Sequence, residues 1–595
     1  MISLITLTFL FLFLLSNNFI TRTSKEEILI SNFITSLLLS ISFIGIISIG
    51  LVFFELTKLP IILITLLITF LFCSICKIQF QNIRNFFDSL KIIYDIFCAK
   101  SISTKVITFL MIWLYFISFG PINHPDPITT YVGYPYQFFL KNKHFIDGGL
   151  HQGLLGLSDF ANISFLQEKN TWLIRSIQSI PLVSLVSIFL LRKTNKLIII
   201  TFLTCPVFIQ WLTIGKYLFL PDISIAITYL VWFKFKEKNS LYNLIIVILL
   251  SLSFKISCLI ISIPIIAHLS YELLKFRNLF LGISKGTLLR ICLLIFSIIS
   301  LSSIFIYRLH VTGNLLYPIF NSYFVPDNQQ MIDFENYLRN FMRDGSFPFN
   351  LIMTDNISFL GMILGPATGF LLISIPICKI FFSKNKSIFK VQLVAICQLV
   401  LLLTISQGRA DYFISPVVLS FMGWDDPQKK LLNHPNIFYS KSYIFKLITQ
   451  SMLIVQIFIF ASITLISGYQ TLYSIFDYES YMNRYAFNYE LTNILNNKSE
   501  GKIKNMGDRT ALFFLNKEYI HEDKFKKCLN THDNKNNSLS ECITMLKPDS
   551  IISYSDKPKI NKQFKCNKYK VNRTSRNPLN LNKRIFHVCN ISKTL

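Results

Sequence analysis

Apolar residues fall along this chain in long runs separated by short polar segments, near 1–16, 28–54, 59–77, 103–122, 171–191, 197–213, 222–233, 241–268, 288–307, 355–381, 390–406, 412–424 and 446–467. An apolar run of about 18 residues or more has the length of a bilayer-spanning helix. The pattern therefore predicts an all-α polytopic membrane protein. The first run, MISLITLTFLFLFLL, has neither a basic n-region nor a small-residue cleavage site and reads as an uncleaved span. The run at 241–268 is too long for one simple helix, carries Lys255 at its centre, and is flanked by basic segments on both sides, Lys234/Lys236/Lys238 and Lys275/Arg277/Lys285. A hairpin of two short helices satisfies both flanks and brings the total to about 13–14 spans.

Loops rich in Lys and Arg stay cytoplasmic. Here these are 77–102, 192–196, 234–238, 269–287, 382–390 and 425–445, every second connection. The complementary segments then face outward: 123–170, 214–221, the turn at Lys255, 308–354, 407–411 and the tail from about 468. The organisation expected is N-terminal transmembrane helices over 1–102, a transmembrane core over 103–467, and a small extracytoplasmic α/β domain over 468–595. The tail turns polar, Asn- and Lys-rich, with strand-like runs ALFFL (511–515) and SIISY (550–554). Its Cys528, Cys542, Cys566 and Cys589 are disulfide candidates with three possible connectivities. The other cysteines, Cys73 and Cys76 among them, lie in or beside spans and read as small packing residues.

Composition agrees: 52% of residues are hydrophobic and 15% charged, against about 25% charged in soluble proteins. A soluble enzyme is excluded. The net charge of +26 sits in loops and tail without a basic helix or an aromatic RNA motif, so nucleic acid is not the partner. Neither a P-loop nor a Rossmann glycine fingerprint is present.

Candidate chemistry gathers on the outward side. His124-Pro125-Asp126-Pro127 holds a carboxylate between two prolines just outside a span, stiff enough for a general base; the alternative is a helix cap. His144, Asp147, His151 and Asp159 follow without the spacing of a zinc motif, so no divalent metal is expected. Lys216, Asp222, Lys255 and Arg409, the last beside Asp411 and Tyr412, put charges at apolar boundaries on one face, which implies an anionic ligand. Gly313-Asn314 and Tyr317-Pro318 mark a structured loop, or an interfacial aromatic belt.

In the order of these features the sequence resembles the membrane glycosyltransferases of GT-C architecture, the superfamily of protein O-mannosyltransferases, aminoarabinose transferases and oligosaccharyltransferase catalytic subunits. The resemblance rests on the Asp of HPDPITTYVGYPYQFF after an early span, on Lys216 and Asp222 before a short span, and on the mid-hairpin Lys255. The TGN-x-x-YP-x-F loop at 312–320 and the stretch from Arg409 to Pro416 complete it. The chain departs from the simplest members in its extra spans before 103 and in Pro127, which stands where a second acid often follows. The resemblance implies inverting transfer of a sugar from a polyprenyl-phosphate carrier to an extracytoplasmic glycan, lipid or protein, in a bacterial cytoplasmic membrane. Asp126 would be the base, and Asp222 would orient Lys216 or the sugar. Lys216, Lys255 and Arg409 would hold the phosphate, with His124, Tyr131, Asn314 and Tyr317 binding substrate. The competing readings are a polysaccharide polymerase, ligase or flippase, a transporter, and a membrane scaffold whose tail binds a partner.

Overall fold

The computed structural model describes residues 25–57, 83–98, 101–141, 150–166, 171–217, 219–275, 285–340, 349–353, 361–382, 386–405, 412–422, 438–499, 501–505, 511–517, 519–520, 528, 538–554, 565–574 and 581–590. The runs near 1–16 and 59–77, with Cys73, Cys76, His144, Asp147, Arg409 and Asp411, lie outside the described residues.

The chain order begins with α1 (Glu26–Phe53), α2 (Ile83–Phe97), α3 (Ile102–Ile117), a π-turn (Pro127–Tyr131), α4 (Gly133–Lys141), α5 (Leu157–Leu166), α6 (Thr171–Ser176), α7 (Ser179–Leu191), α8 (Lys196–Leu203) and α9 (Pro206–Ile214). It continues through α10 (Phe219–Phe235), α11 (Lys238–Phe254), α12 (Cys258–Lys275), α13 (Lys285–Thr312), α14 (Asn321–Phe324), α15 (Gln329–Asn340), α16 (Pro366–Phe382), α17 (Lys386–Ile405), α18 (Ile414–Met422) and α19 (Phe438–Phe476). The tail holds α20 (Tyr478–Tyr485), α21 (Tyr489–Lys498), β1 (Ile503–Asn505), α22 (Ser538–Leu546), β2 (Ser550–Tyr554), β3 (Lys565–Thr574) and β4 (Leu581–Asn590).

Among the described residues, α1, the α6–α7 pair and the apolar stretches of α13, α17 and α19 are each long and apolar enough to cross a membrane. The α8–α9 pair, bent by 50° just before Pro206, makes a sixth span if counted as one. Shorter apolar helices, α3, α11, α12 and α16, pack with them. The chain is an integral membrane protein of helical spans with a small α/β domain at its C-terminal end.

The overlong run divides as a hairpin: α11 stops at Phe254, Lys255 is extended (φ −151°, ψ 120°), and α12 starts at Cys258. Three expectations change. The run at 355–381 is not one helix, because α16 begins only at Pro366, after Gly365 at φ +86°. The helix that holds the last apolar run does not stop at 467 but continues to Phe476, 39 residues in all. ALFFL forms a 3-10 turn at Leu512–Phe514 rather than a strand, because Gln137 Nε2 on α4 draws in the carbonyls of Leu512 (2.8 Å) and Leu515 (2.7 Å).

Ion pairs, two of them networks around the buried carboxylates of Glu27 and Glu272, collect on one face of the bundle. Glu27 takes Arg192 (2.7 Å) and Lys234, and Lys25 takes Glu237 (2.5 Å). Glu272 takes Lys236 (2.9 Å), Lys390 and, at 3.6 Å, His268. These contacts join the connections at 192–196, 234–238, 269–287 and 382–390, all expected on one side. On the other face the tail seats on the first long loop: Asn123 Nδ2 donates to the Tyr481 hydroxyl (2.7 Å), and Phe487 N–H donates to the Asn123 carbonyl (3.1 Å). Helix α10 links the two faces, Asp222 in its first turn and Lys234 in its last, about 18 Å apart at 1.5 Å per residue.

The tail sheet has strand order β1-β2-β4-β3, with β1 parallel to β2 and the other pairs antiparallel. Of the three connectivities, the structure forms Cys528–Cys542 and Cys566–Cys589. Cys566 and Cys589 stand directly opposite each other in the β3–β4 ladder.

Candidate functional site

Arg175 fixes the frame of the site. Its buried guanidinium donates to the carbonyls of Gly120, Pro121 (2.7 Å), Ile117 (2.9 Å) and Leu212 (3.3 Å), clamping the end of α3 to the end of α9. A buried charge is tolerated where every donor finds an acceptor. After α9 the chain turns through Gly215 (φ +74°) into Lys216, whose carbonyl accepts from the buried Gln178 amide (2.6 Å). Lys216 is thereby held inside, 6% exposed.

Beyond the clamp, Asp126 and Pro127 lead into the π-turn, closed by Val132 N–H to the Pro127 carbonyl (2.9 Å). A residue five places on would be about 140° out of phase in an α-helix; the i→i+5 closure of a π-turn brings it back above its partner. Asp126 stands just before this turn and Tyr131 is its last residue. Gly133 follows because a Cβ there would collide with the Ile128 carbonyl. The Asp126 side chain makes no cap hydrogen bond, and its own N–H donates to His124 Nδ1 (3.3 Å). The cap hydrogen bond of the alternative reading is thus not formed at this turn, and the residue is half-buried.

Tyr131 is the hub. Lys216 Nζ and Lys255 Nζ each lie 4.6 Å from its ring centroid, and Lys255 also donates to its hydroxyl (3.1 Å). The electron-rich ring offsets part of the repulsion between two ammonium groups that water cannot screen. At the first residue of α12, Cys258 Sγ donates to Asp222 Oδ1 (3.4 Å), which seats the Asp222 carboxylate beside the Lys255 turn.

Two charged groups join this cluster from elsewhere. Asp159, 3% exposed, accepts the Gly156 N–H (2.8 Å) ahead of α5. Arg308, 1% exposed, donates through Nη2 to the Leu155 carbonyl (3.4 Å), while its Nε and Nη1 have no hydrogen-bond partner among the described residues. Burial pushes the Asp159 carboxyl up to about 7, against the opposing pull of the Gly156 N–H and of Lys255, Lys216 and Arg308. Burial, with the nearby Asp159, likewise raises the Tyr217 phenol. Sequence reasoning passed over Arg308; the available signal was an Arg at the end of an apolar run.

Asn314 and Tyr317 stand apart from this cluster. Asn314 Nδ2 donates to Ile319 O and Asn321 Oδ1 (both 2.8 Å), its Oδ1 accepts from Leu316 N–H (2.8 Å), and the Tyr317 hydroxyl donates to Leu150 O (2.6 Å). These bonds shape the loop and moor it to the 150–156 segment. His151 lies against Phe334 at a tilt of 57°, 5.2 Å between centroids. No three His, Cys, Asp or Glu gather as a metal site among the described residues.

The cluster can bind an anion. Lys216, Lys255 and Arg308 against Asp159 and Asp222 leave one net positive charge when all are ionised, in surroundings that strengthen each interaction.

No family model matches the sequence, and no curated protein matches it. Among solved structures, the chain is similar to the crystal structure of ArnT from Cupriavidus metallidurans bound to undecaprenyl phosphate, with a TM-score of 0.47 and 11% identity over 82% of this chain and 98% of that one.

Proposed function

We propose that this protein is a membrane glycosyltransferase that moves a sugar from a polyprenyl-phosphate carrier to an acceptor hydroxyl outside the cytoplasm, with inversion. The observation that carries the reading is the convergence of Lys216 and Lys255 on Tyr131, beside a buried Arg308 with unpartnered N–H groups. Three cations against the carboxylates of Asp159 and Asp222 leave one positive charge over, and a lipid phosphate would balance it from within the membrane.

Asp126 takes the proton of the acceptor hydroxyl as the acceptor oxygen attacks the anomeric carbon from the side opposite the phosphate. The bond from that carbon to the phosphate oxygen breaks and its electron pair stays on the phosphate. A phosphate leaves without a general acid when cations meet its growing charge, the role given to Lys255, Lys216 and Arg308, with Arg409 as a further candidate. Asp222 orients the sugar or the nearby lysine, and His124 steadies the Asp126 segment. The outward placement draws support from the basic loops gathered on the opposite face and from the two tail disulfides, which suit an oxidising compartment.

The test is transfer of labelled sugar from polyprenyl-phosphate donors in membranes containing wild type or Asp126→Asn. Turnover in wild type, lost by about 10²-fold or more in the variant with carrier binding retained, is the expected result. Equal turnover in both removes Asp126 as the base. Carrier binding without turnover by wild type favours a flippase.

A further inference from the structure

One buried carboxyl has no task in the mechanism above. Asp159 sits where three segments close together. The Leu155 carbonyl takes the Arg308 guanidinium, the next residue's N–H holds the Asp159 carboxyl, and Gly156 itself lies so close to α11 that a Cβ would collide with the Phe254 carbonyl. Phe254 immediately precedes Lys255. The carboxyl is therefore fixed between the Lys255 turn and Arg308, and the charged and titratable groups acting on it are Lys255, Lys216, Arg308, Tyr217 and Tyr307. A carboxylate that only paired with these cations would weaken them as an anion site.

Resting on the glycosyltransferase reading, we propose that Asp159 is a positioning residue that matches the charge of the site to its ligand, gaining a proton when the phosphodiester donor becomes the phosphomonoester product. The sugar-linked carrier is a phosphodiester with one negative charge. Transfer breaks the sugar–oxygen bond, leaves the electron pair on phosphate, and gives a monoester whose second ionisation lies near pH 6, about −2 in charge at neutral pH. With Asp159 ionised, the five charged groups carry one net positive charge, complementary to the donor. With Asp159 protonated they carry two, complementary to the product. The acceptor proton passes to Asp126, and Asp159 takes its own proton from water, so no oxidant, reductant or further co-reactant is needed. A carboxyl whose ordinary range is shifted upward by burial can make this exchange near neutrality.

The experiment uses the full chain in detergent or nanodiscs, with farnesyl phosphate as monoester probe and methyl farnesyl phosphate as diester probe. Binding is followed by calorimetry from pH 6 to pH 8.5. The expected wild-type result is monoester affinity falling toward tenfold per pH unit above the Asp159 transition, the slope for one coupled proton, with a shallower diester dependence. Calorimetry at pH 8 in two buffers of different ionisation enthalpy should show about one proton taken up per monoester bound. Asp159→Asn, which can still accept the Gly156 N–H, should flatten the slope and bind the monoester about tenfold tighter than wild type at pH 8.5, with the two proteins converging at pH 6. An unchanged slope in Asp159→Asn, or no proton uptake by wild type, overturns the proposal while leaving the phosphate site in place. Failure of wild type to bind either ester overturns the phosphate site and this proposal with it. The proton-uptake measurement needs no variant, so the proposal stays testable should Asp159→Asn fail to fold.

Discussion

At the scale of single residues, the arrangement around Tyr131 separates ring from hydroxyl. Tyr131→Phe keeps both ammonium–ring contacts and loses one hydrogen bond, about 1 kcal/mol, so carrier affinity should fall by about fivefold. Tyr131→Ala leaves two buried like charges without their screen and should cost more. Lys255→Met removes a charge-assisted contact of about 1.5–3 kcal/mol, an expected 10- to 100-fold loss of farnesyl phosphate affinity by calorimetry, with thermal stability close to wild type. A Lys255→Met protein that binds farnesyl phosphate as wild type does would remove Lys255 from the phosphate site. Lys216, Asp222 and Lys255 were legible in the sequence because ionisable residues at apolar boundaries stand out against their neighbours. Arg308 was less so: the chain contributes it from α13, some 50 positions beyond Lys255, and only the fold brings its guanidinium to the Leu155 carbonyl. For Asn314 and Tyr317 the structure adds the backbone carbonyls they bond, Ile319 and Leu150. Their spacing marked an ordered loop, but spacing does not say whether a polar group faces a ligand or its own backbone.

At the scale of elements, the cluster depends on short segments pressed together more than on long helices. Gly156 is the closest approach, against the α11 carbonyl beside Lys255. Gly156→Ala should force the 150–156 segment away, destabilising by about 1–3 kcal/mol and loosening phosphate binding. Gly50→Ala, in α1 with nothing within 4 Å of the added methyl, should be neutral or stabilising by up to about 1 kcal/mol. Thermal unfolding in one detergent checks both, and equal melting temperatures would show that the close approach does not hold the segment. The hairpin at Lys255 could be read from sequence because one charge divided an overlong apolar run between two basic flanks, and topology allowed a single solution. The 511–515 run could not, because an amide more than 370 positions away, Gln137, captures its carbonyls; tertiary contact overrides local strand preference.

At the scale of the whole molecule, charge sorts the structure into two faces. The ion pairs among the described residues, whose acids are Glu27, Glu237 and Glu272, involve the connections at 192–196, 234–238, 269–287 and 382–390, which the distribution of Lys and Arg assigns to one side. The Tyr131 cluster, the 312–324 loop and the tail occupy the other. The positive-inside rule predicts that the ion-pair face is cytoplasmic, and the tail disulfides agree with that prediction. Two exposed positions separate the possibilities, Asn239 at the start of α11 on the ion-pair face and Asn497 on α21 in the tail. In intact cells, a membrane-impermeant maleimide should label Asn497→Cys above the wild-type background and leave Asn239→Cys unlabelled until the membrane is opened. The reverse pattern would turn the cluster toward the cytoplasm, where disulfides do not persist and an extracytoplasmic acceptor cannot reach Asp126. Labelling of both positions from outside would break the two-face arrangement itself, since α10 and α11 then could not carry the chain from the Lys255 turn to the ion-pair face.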